Sequence, residues 1–207
     1  MRKLAIPVVI ILVIASAFVW ERVRVHRQKF LGLDHAAAEL HAAQSLGMVQ
    51  LEHATLLRDI FAEYDVLERD NLNDAERKLL LGYPEAIEVC RNAREVWGGF
   101  EIVPLPFAGK HNLYRVKKDA LGSLSAIGVP EVPPKLFVTD DGRDSIVQTV
   151  LGACDTALQT ARNGGDQAQV KSAIRPAIGN GYPKLKDAFT ISAGMRATSW
   201  FRSYVKD

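Results

Sequence analysis

Residues 33–69, LDHAAAELHAAQSLGMVQLEHATLLRDIFAEYDVLER, decide the fold class of this chain. Two series of residues recur every seven positions along the stretch, as in one face of a long helix. They are Leu33, Leu40, Gly47, Ala54 and Phe61, and Ala36, Ala43, Gln50, Leu57 and Tyr64. The middle of this stripe consists of small residues, which allow a second helix to approach closely. We therefore expect one long helix over 33–69 in a tight helix pair, which Gly47→Leu would disrupt.

The residues that follow carry signals for further helices. Asn73 and Glu76 stand at the spacing of a capping box, and Pro84 suits the first turn of a helix. The glycine pair at 98–99 ends that helix. Acidic residues outnumber basic ones by fourteen to six over 31–101. These signals predict an acidic, antiparallel helical hairpin spanning 33–98.

The helical pattern dissolves over residues 100–142. Five of the nine prolines of the chain lie here, with short apolar runs at 100–103 and 136–138. We expect an irregular connector that holds a short hairpin or a two-stranded pairing, and a short helix around 114–124. A connector of this length either covers a surface of its own protein or clasps another one.

Helical periodicity returns in the basic last part of the chain, residues 143–207. Ser145 and Gln148 have capping-box spacing, so a helix is expected to begin at 144 or 145 and to stop at the glycines 164–165. Pro176 and a glycine-rich turn at 179–181 predict an interrupted helix, followed by a last helix over 184–204. The fold class is therefore mainly α: a helical-bundle-like domain over 31–207 with an irregular proline- and glycine-rich central segment.

An apolar segment precedes this domain. Residues 4–20, LAIPVVIILVIASAFVW, are 17 consecutive residues without a charge, enough for a helix of about 25 Å. Aromatic and basic residues suited to a membrane interface follow it: Trp20, Arg22, Arg24 and Arg27. We expect residues 1–30 to form an uncleaved signal-anchor, a single transmembrane helix with a basic juxtamembrane stretch.

Two alternatives to this anchor stay open. Ala15 and Ala17 form a small-x-small cleavage site, so that a secreted protein beginning at Phe18 is the second interpretation. Counting basic residues on the two flanks favours a cytoplasmic domain, whereas the resemblance of the segment to an export signal favours an extracytoplasmic one. We expect a single-pass membrane protein with its domain on the extracytoplasmic, periplasmic side.

Composition and motifs exclude several classes of function. The chain has 26 basic and 24 acidic residues and two cysteines, which argues against nucleic acid as a partner and against a multi-cysteine metal site. One expected helix contains three histidines, His35, His41 and His53. Their spacing along a helix does not allow them to bind one metal ion together, so we expect their side chains to be solvated. No nucleophile elbow, P-loop or zinc-binding helix is present. We expect no enzymatic activity, catalytic residues, metal or cofactor.

Two further features indicate how the domain is held together and what it binds. Cys90 and Cys154 each lie on the apolar face of an expected helix. We expect them to be buried free thiols or, if the domain is outside the cytoplasm, a disulfide that joins the two halves of the chain. The C-terminus combines aromatic and basic residues in a pattern typical of docking surfaces. These residues are Trp200, Phe201, Arg202 and Tyr204.

Together these features favour an accessory or structural subunit. We expect a non-catalytic protein tethered to the lipid bilayer that binds and braces a larger membrane protein complex through residues 100–142 and the aromatic C-terminus. A membrane-tethered sensory or ligand-binding helical domain that forms a homodimer is the alternative.

Overall fold

The computed structural model describes residues 29–104, 112–198 and 201. Their fold is mainly helical, as expected, with seven helices and three strands in the described ranges. In chain order these are α1 Leu31–Leu46, α2 Gln50–Arg69, α3 Asp74–Leu80, α4 Tyr83–Gly98, β1 Phe100–Val103, β2 Leu113–Val116, α5 Lys118–Ile127, β3 Phe137–Thr139, α6 Asp140–Arg162 and α7 Gln167–Ala197.

The apolar segment 4–20 lies outside the described residues. Among the helices that the structure describes, none is both long and apolar enough to cross a membrane.

Four helices form the body of the molecule. Helix α1 runs antiparallel to α6, since Asp34 pairs with Arg162 at 3.4 Å while the Gln44 amide lies 3.8 Å from the sulfur of Cys154. Helix α2 returns alongside α1, and helix α4 again runs antiparallel to α6. The bundle therefore has two ends. We call the end where α1 begins and α6 finishes, at Leu31 and Arg162, the basal end, and the end where α6 begins the sheet end.

Helix α7 covers α6 along its length. Gly181 lies against Thr149, and near the sheet end the Ser192 hydroxyl accepts a hydrogen bond of 2.9 Å from the Phe137 amide. That hydroxyl satisfies a backbone donor on the outer edge of β3, which would otherwise be left unpaired in a buried position.

The three strands form an antiparallel sheet in the order β1-β2-β3 at the sheet end. Its inner face packs on the bundle through Tyr114, Val116 and Val138, which belong to the main core. Alternate residues point to the opposite face, so Leu113 and Phe137 form a separate apolar cluster there.

Small residues bring α4 and α6 together in the centre of the core. The facing positions are fully buried and consist of Ala86, Cys90, Ala93, Ala153, Cys154, Ala157 and Ala161. Cys90 and Cys154 form a disulfide there, with their Cα atoms 4.6 Å apart. The close helix pair of this protein is therefore α4 with α6, and it is not built on the small-residue stripe of residues 33–69.

The prediction of one helix over 33–69 is wrong, because the chain turns at Gly47. This glycine has φ +83°, and the amides of Gly47 and Met48 bond back to the carbonyls of Gln44 and Ala43 at 3.3 and 3.2 Å. The pattern is a Schellman helix end, which requires the left-handed conformation that glycine adopts without strain. A Cβ built on Gly47 meets nothing within 4 Å, so this residue ends a helix and does not pack against one. The expected hairpin over 33–98 consequently contains four helices.

The central and C-terminal expectations also need correction. Residues 100–142 hold a three-stranded sheet and helix α5, whereas the expectation was an irregular connector with at most a two-stranded pairing and a short helix around 114–124. Helix α6 begins at Asp140 after Thr139 and does not begin at Ser145. Helix α7 is continuous through both of its prolines. Pro176 and Pro183 are exposed on the side away from α6, where water can bond the carbonyls that lose their amide partners.

Candidate functional site

The outer face of the sheet is the place where the two segments expected to bind a partner meet. Phe201, from the C-terminus, packs edge-on against Phe137 of β3, with ring centroids 4.9 Å apart and planes at 83°. Only 2% of Phe201 is exposed, and Leu113, Val103 and Met195 complete the cluster. The structure thus places Phe201 against the segment 100–142.

Beside this apolar cluster lies a basic cavity of about 400 Å³. It is bounded by the outer face of β1 and β2, the first turns of α5, and residues 134–136. Half of the ten residues that line it are charged, four cations and one carboxylate: Arg115, Lys117, Lys118, Lys135 and Glu101. Phe137 also lines it, so the basic cavity and the apolar cluster are two halves of one surface.

The single carboxylate of the basic cavity is already engaged. Glu101 lies opposite Arg115 in the strand register and accepts a hydrogen bond of 2.9 Å from its guanidinium, while the Lys117 ammonium is 3.6 Å away. The hydrogen bond from Arg115 is the main reason that the pKa of Glu101 lies below its usual value. Within the described residues Lys118 has no ion-pair partner. The lining therefore keeps an excess of positive charge.

A polar network closes the junction between β2 and α6. The Tyr114 hydroxyl donates a hydrogen bond of 2.9 Å to Asp140 and accepts one of 3.0 Å from Arg143. The backbone amide of Asn112 donates to the other carboxylate oxygen of Asp140 at 3.0 Å. The Asn112 hydrogen bond is the largest cause of the lowered pKa of Asp140, and loss of hydration is the largest cause of the raised pKa of Tyr114. Because each of these polar groups is engaged by another, the network fixes the start of α6 and offers no free base or nucleophile.

The histidines lie in three different environments. His35 is exposed, whereas the Nδ1 atom of His41 is 2.6 Å from a carboxylate oxygen of Asp155 on α6. His53 is fully buried against Trp97, and neither of its ring nitrogens has a hydrogen-bond partner among the described residues. Burial is the main cause that lowers the pKa of His53 to about 4. The expectation of a solvated side chain is wrong for this histidine, since α2 directs it into the bundle.

Across the described ranges, no group of three or more histidine, cysteine, aspartate or glutamate side chains is arranged to hold a metal ion. The interface residues Trp20, Arg22, Arg24 and Arg27, and the docking residues Trp200, Arg202 and Tyr204, lie outside the described residues.

No family model, curated protein or solved structure matches this chain.

The basic cavity was not predicted, because the sequence shows only part of it. The basic run that contains Arg115, Lys117 and Lys118 is visible in the sequence, but Glu101 and Lys135 lie 14 and 20 residues from Arg115. Only the strand register, which pairs Glu101 with Arg115 and Arg115 with Phe137, brings these residues to one surface. One charged residue in each of two short apolar strands, Glu101 and Arg115, was a further signal for a cross-strand ion pair.

Proposed function

We propose that this protein is a non-catalytic accessory subunit of a membrane protein complex. Residues 4–20 anchor it in the bilayer, and its helical domain lies on the extracytoplasmic side. The domain binds and braces a partner through the outer face of the sheet and the aromatic C-terminus.

The buried disulfide between Cys90 and Cys154 carries this proposal. Disulfides form and persist in oxidising compartments and are rare in the cytosol. Both cysteines are fully buried at a close helix contact, so the bond is part of the core and unsuited to a reversible surface switch. A disulfide in the core, together with an apolar N-terminal segment, supports an exported and anchored domain.

The two ends of the bundle support the division between anchor and docking surface. The chain enters the domain at the basal end, where Lys29 lies 3.4 Å from Glu76 and Asp34 pairs with Arg162. The outer face of the sheet lies at the opposite end of α6, whose 23 residues span about 35 Å. In this arrangement a tether at the basal end places the outer face of the sheet at the far end of the domain, within reach of a partner.

Extraction in a mild detergent, followed by native mass spectrometry, tests the accessory role. Stoichiometric migration with a larger assembly is the expected result, and Trp200→Ala with Tyr204→Ala should release the protein from it. The matched control is Leu79→Ala with Leu81→Ala, which alters two exposed apolar residues of the basal region and should leave the assembly intact. Migration alone in every detergent condition contradicts the proposal. A mature N-terminus at Phe18 would instead establish a secreted protein.

The second candidate is a membrane-tethered ligand-binding domain, and the basic cavity is the observation that favours it. Such a protein migrates alone or as a homodimer and binds a small ligand saturably. The same native mass spectrometry experiment separates the two candidates by the mass of the species.

A further inference from the structure

We propose that a cavity between helices α4, α5 and α7 binds a small carboxylic acid with a compact apolar body. We call it the interhelical cavity. Its lining shares no residue with that of the basic cavity, and the site does not depend on which of the two proposed functions holds.

The size and the floor of the interhelical cavity suit a small organic molecule. Its volume is about 460 Å³, within the range of sites that hold such ligands. Ile174 and Ile178, one turn apart on α7, and Ile127 at the end of α5 line it. All three are buried side chains of the main core, so they give the cavity an apolar floor that is fixed by packing.

Two polar contacts between different elements hold the walls in place. Glu85, in the first turn of α4, pairs with Lys171 of α7 at 3.2 Å, and the Tyr182 hydroxyl of α7 donates a hydrogen bond of 2.9 Å to Glu131. Glu131 has φ +56°, a left-handed conformation that costs free energy in a residue with a Cβ. Strained backbone of this kind is concentrated at binding sites. The cavity is therefore held open by contacts within the protein.

The charges in the lining favour an anion with a single charge. They belong to Glu85, Lys171 and Arg175. Glu85 and Lys171 neutralise each other, whereas Arg175 has no ion-pair or hydrogen-bond partner within the described residues. The nearby Glu131 does not line the cavity, and its carboxylate holds the Tyr182 hydroxyl. A dianion would be repelled by Glu85, so one negative charge fits this lining better than two.

The geometry of Arg175 points to a carboxylate. A guanidinium donates two parallel hydrogen bonds to the two oxygens of a carboxylate, which fixes the orientation of the ligand. Arg175 and Ile178 are three residues apart on α7 and therefore neighbours on one helix face. A ligand whose carboxylate binds Arg175 consequently places its apolar part over the isoleucine floor.

Isothermal titration calorimetry of the full chain in non-ionic detergent, with phenylacetate as the probe and detergent micelles alone as the blank, tests the proposal. We expect saturable binding with a stoichiometry of one. Arg175→Gln should weaken binding by about tenfold or more, because the charged hydrogen bonds are lost. Arg175→Lys should weaken it less than Arg175→Gln, since the charge remains. Phenylacetamide, which has the same shape without the charge, should bind at least tenfold more weakly than phenylacetate.

The matched control is Arg58→Gln, which removes an exposed guanidinium of α2 that does not line the cavity and should leave the affinity within twofold. The far-ultraviolet circular dichroism spectrum of every variant establishes that it is folded. Absence of saturable binding above the micelle blank, or equal weakening in Arg58→Gln, overturns the proposal. Equal affinity for phenylacetate and phenylacetamide also overturns it, because the site would then recognise an apolar body and not a carboxylate.

Discussion

Removal of the disulfide should cost this domain a large part of its stability. Cys90 and Cys154 are 64 residues apart in sequence, and the bond between them restricts the unfolded chain. For a loop of this length the loss of chain entropy is about 14 cal/mol/K, which corresponds to about 4 kcal/mol at 25 °C. Replacing two fully buried cysteines by alanine removes packing contacts worth about 1 kcal/mol more. We expect Cys90→Ala with Cys154→Ala to lower the free energy of unfolding by about 5 kcal/mol.

The assay is urea unfolding of the full chain in non-ionic detergent, followed by circular dichroism, with thermal melting as a second measurement. A loss of this size should lower Tm by about 10–20 °C in a chain of this length. Reductant should destabilise the wild-type protein almost as far and should leave the alanine variant unchanged, which separates the cross-link from other effects of reduction. A variant within about 1 kcal/mol of the wild type would refute the argument, because the loop-closure cost in the unfolded state would then be absent.

Three further outcomes follow from the packing. The pKa of His53 is about 4 in the folded protein and about 6.5 in the unfolded chain. On acidification the unfolded chain therefore binds a proton at this histidine before the folded protein does, which favours unfolding. Stability should fall by about 2 kcal/mol between pH 7.5 and 5, and His53→Phe should remove that loss in urea titrations at each pH. Gly181→Ala should destabilise by about 1–3 kcal/mol because the new Cβ would clash with the Thr149 side chain. Gly179→Ala, with open space around it, should instead stabilise by about 0.5–1 kcal/mol, and thermal melts compare the pair. Phe201→Ala should expose the outer face of the sheet and raise binding of a hydrophobic dye, whereas unchanged binding would contradict its burial.

The parts of the fold that could be predicted are those fixed by local chemistry. The Asn73 capping box forms as its spacing predicts, with the side chain accepting from the amide of Glu76 at 3.0 Å. Helix α4 begins at Tyr83, next to Pro84, and ends at the glycine pair 98–99. In each case a side chain or a ring acts on a backbone group within a few residues, so the sequence contains the whole interaction.

The parts that could not be predicted depend on contacts distant in sequence. Gly47 is small enough to line a helix pair and flexible enough to end a helix, and only the left-handed turn decides between these roles. Pro176 and Pro183 each favour a break in the helix that contains them, but the packing of α7 along α6 keeps that helix continuous. The basic cavity depends on a strand register that places Arg115 opposite both Glu101 and Phe137, and no local pattern determines that register.

The position of the disulfide bears on how a brace would work. Helix α4 leads directly into β1, and β3 leads directly into α6, so the sheet is attached at both sides to the two helices that the disulfide joins. A partner that pulls on the outer face of the sheet therefore loads α4 and α6 together, and the covalent bond resists their separation. Both helices reach the basal end, where Asp34 of α1 pairs with Arg162 of α6 and Gly82, next to the start of α4, lies against Ala161. Under the proposed function, a force applied at the sheet would pass through this cross-linked pair of helices to the basal end, which is the property that a bracing subunit needs.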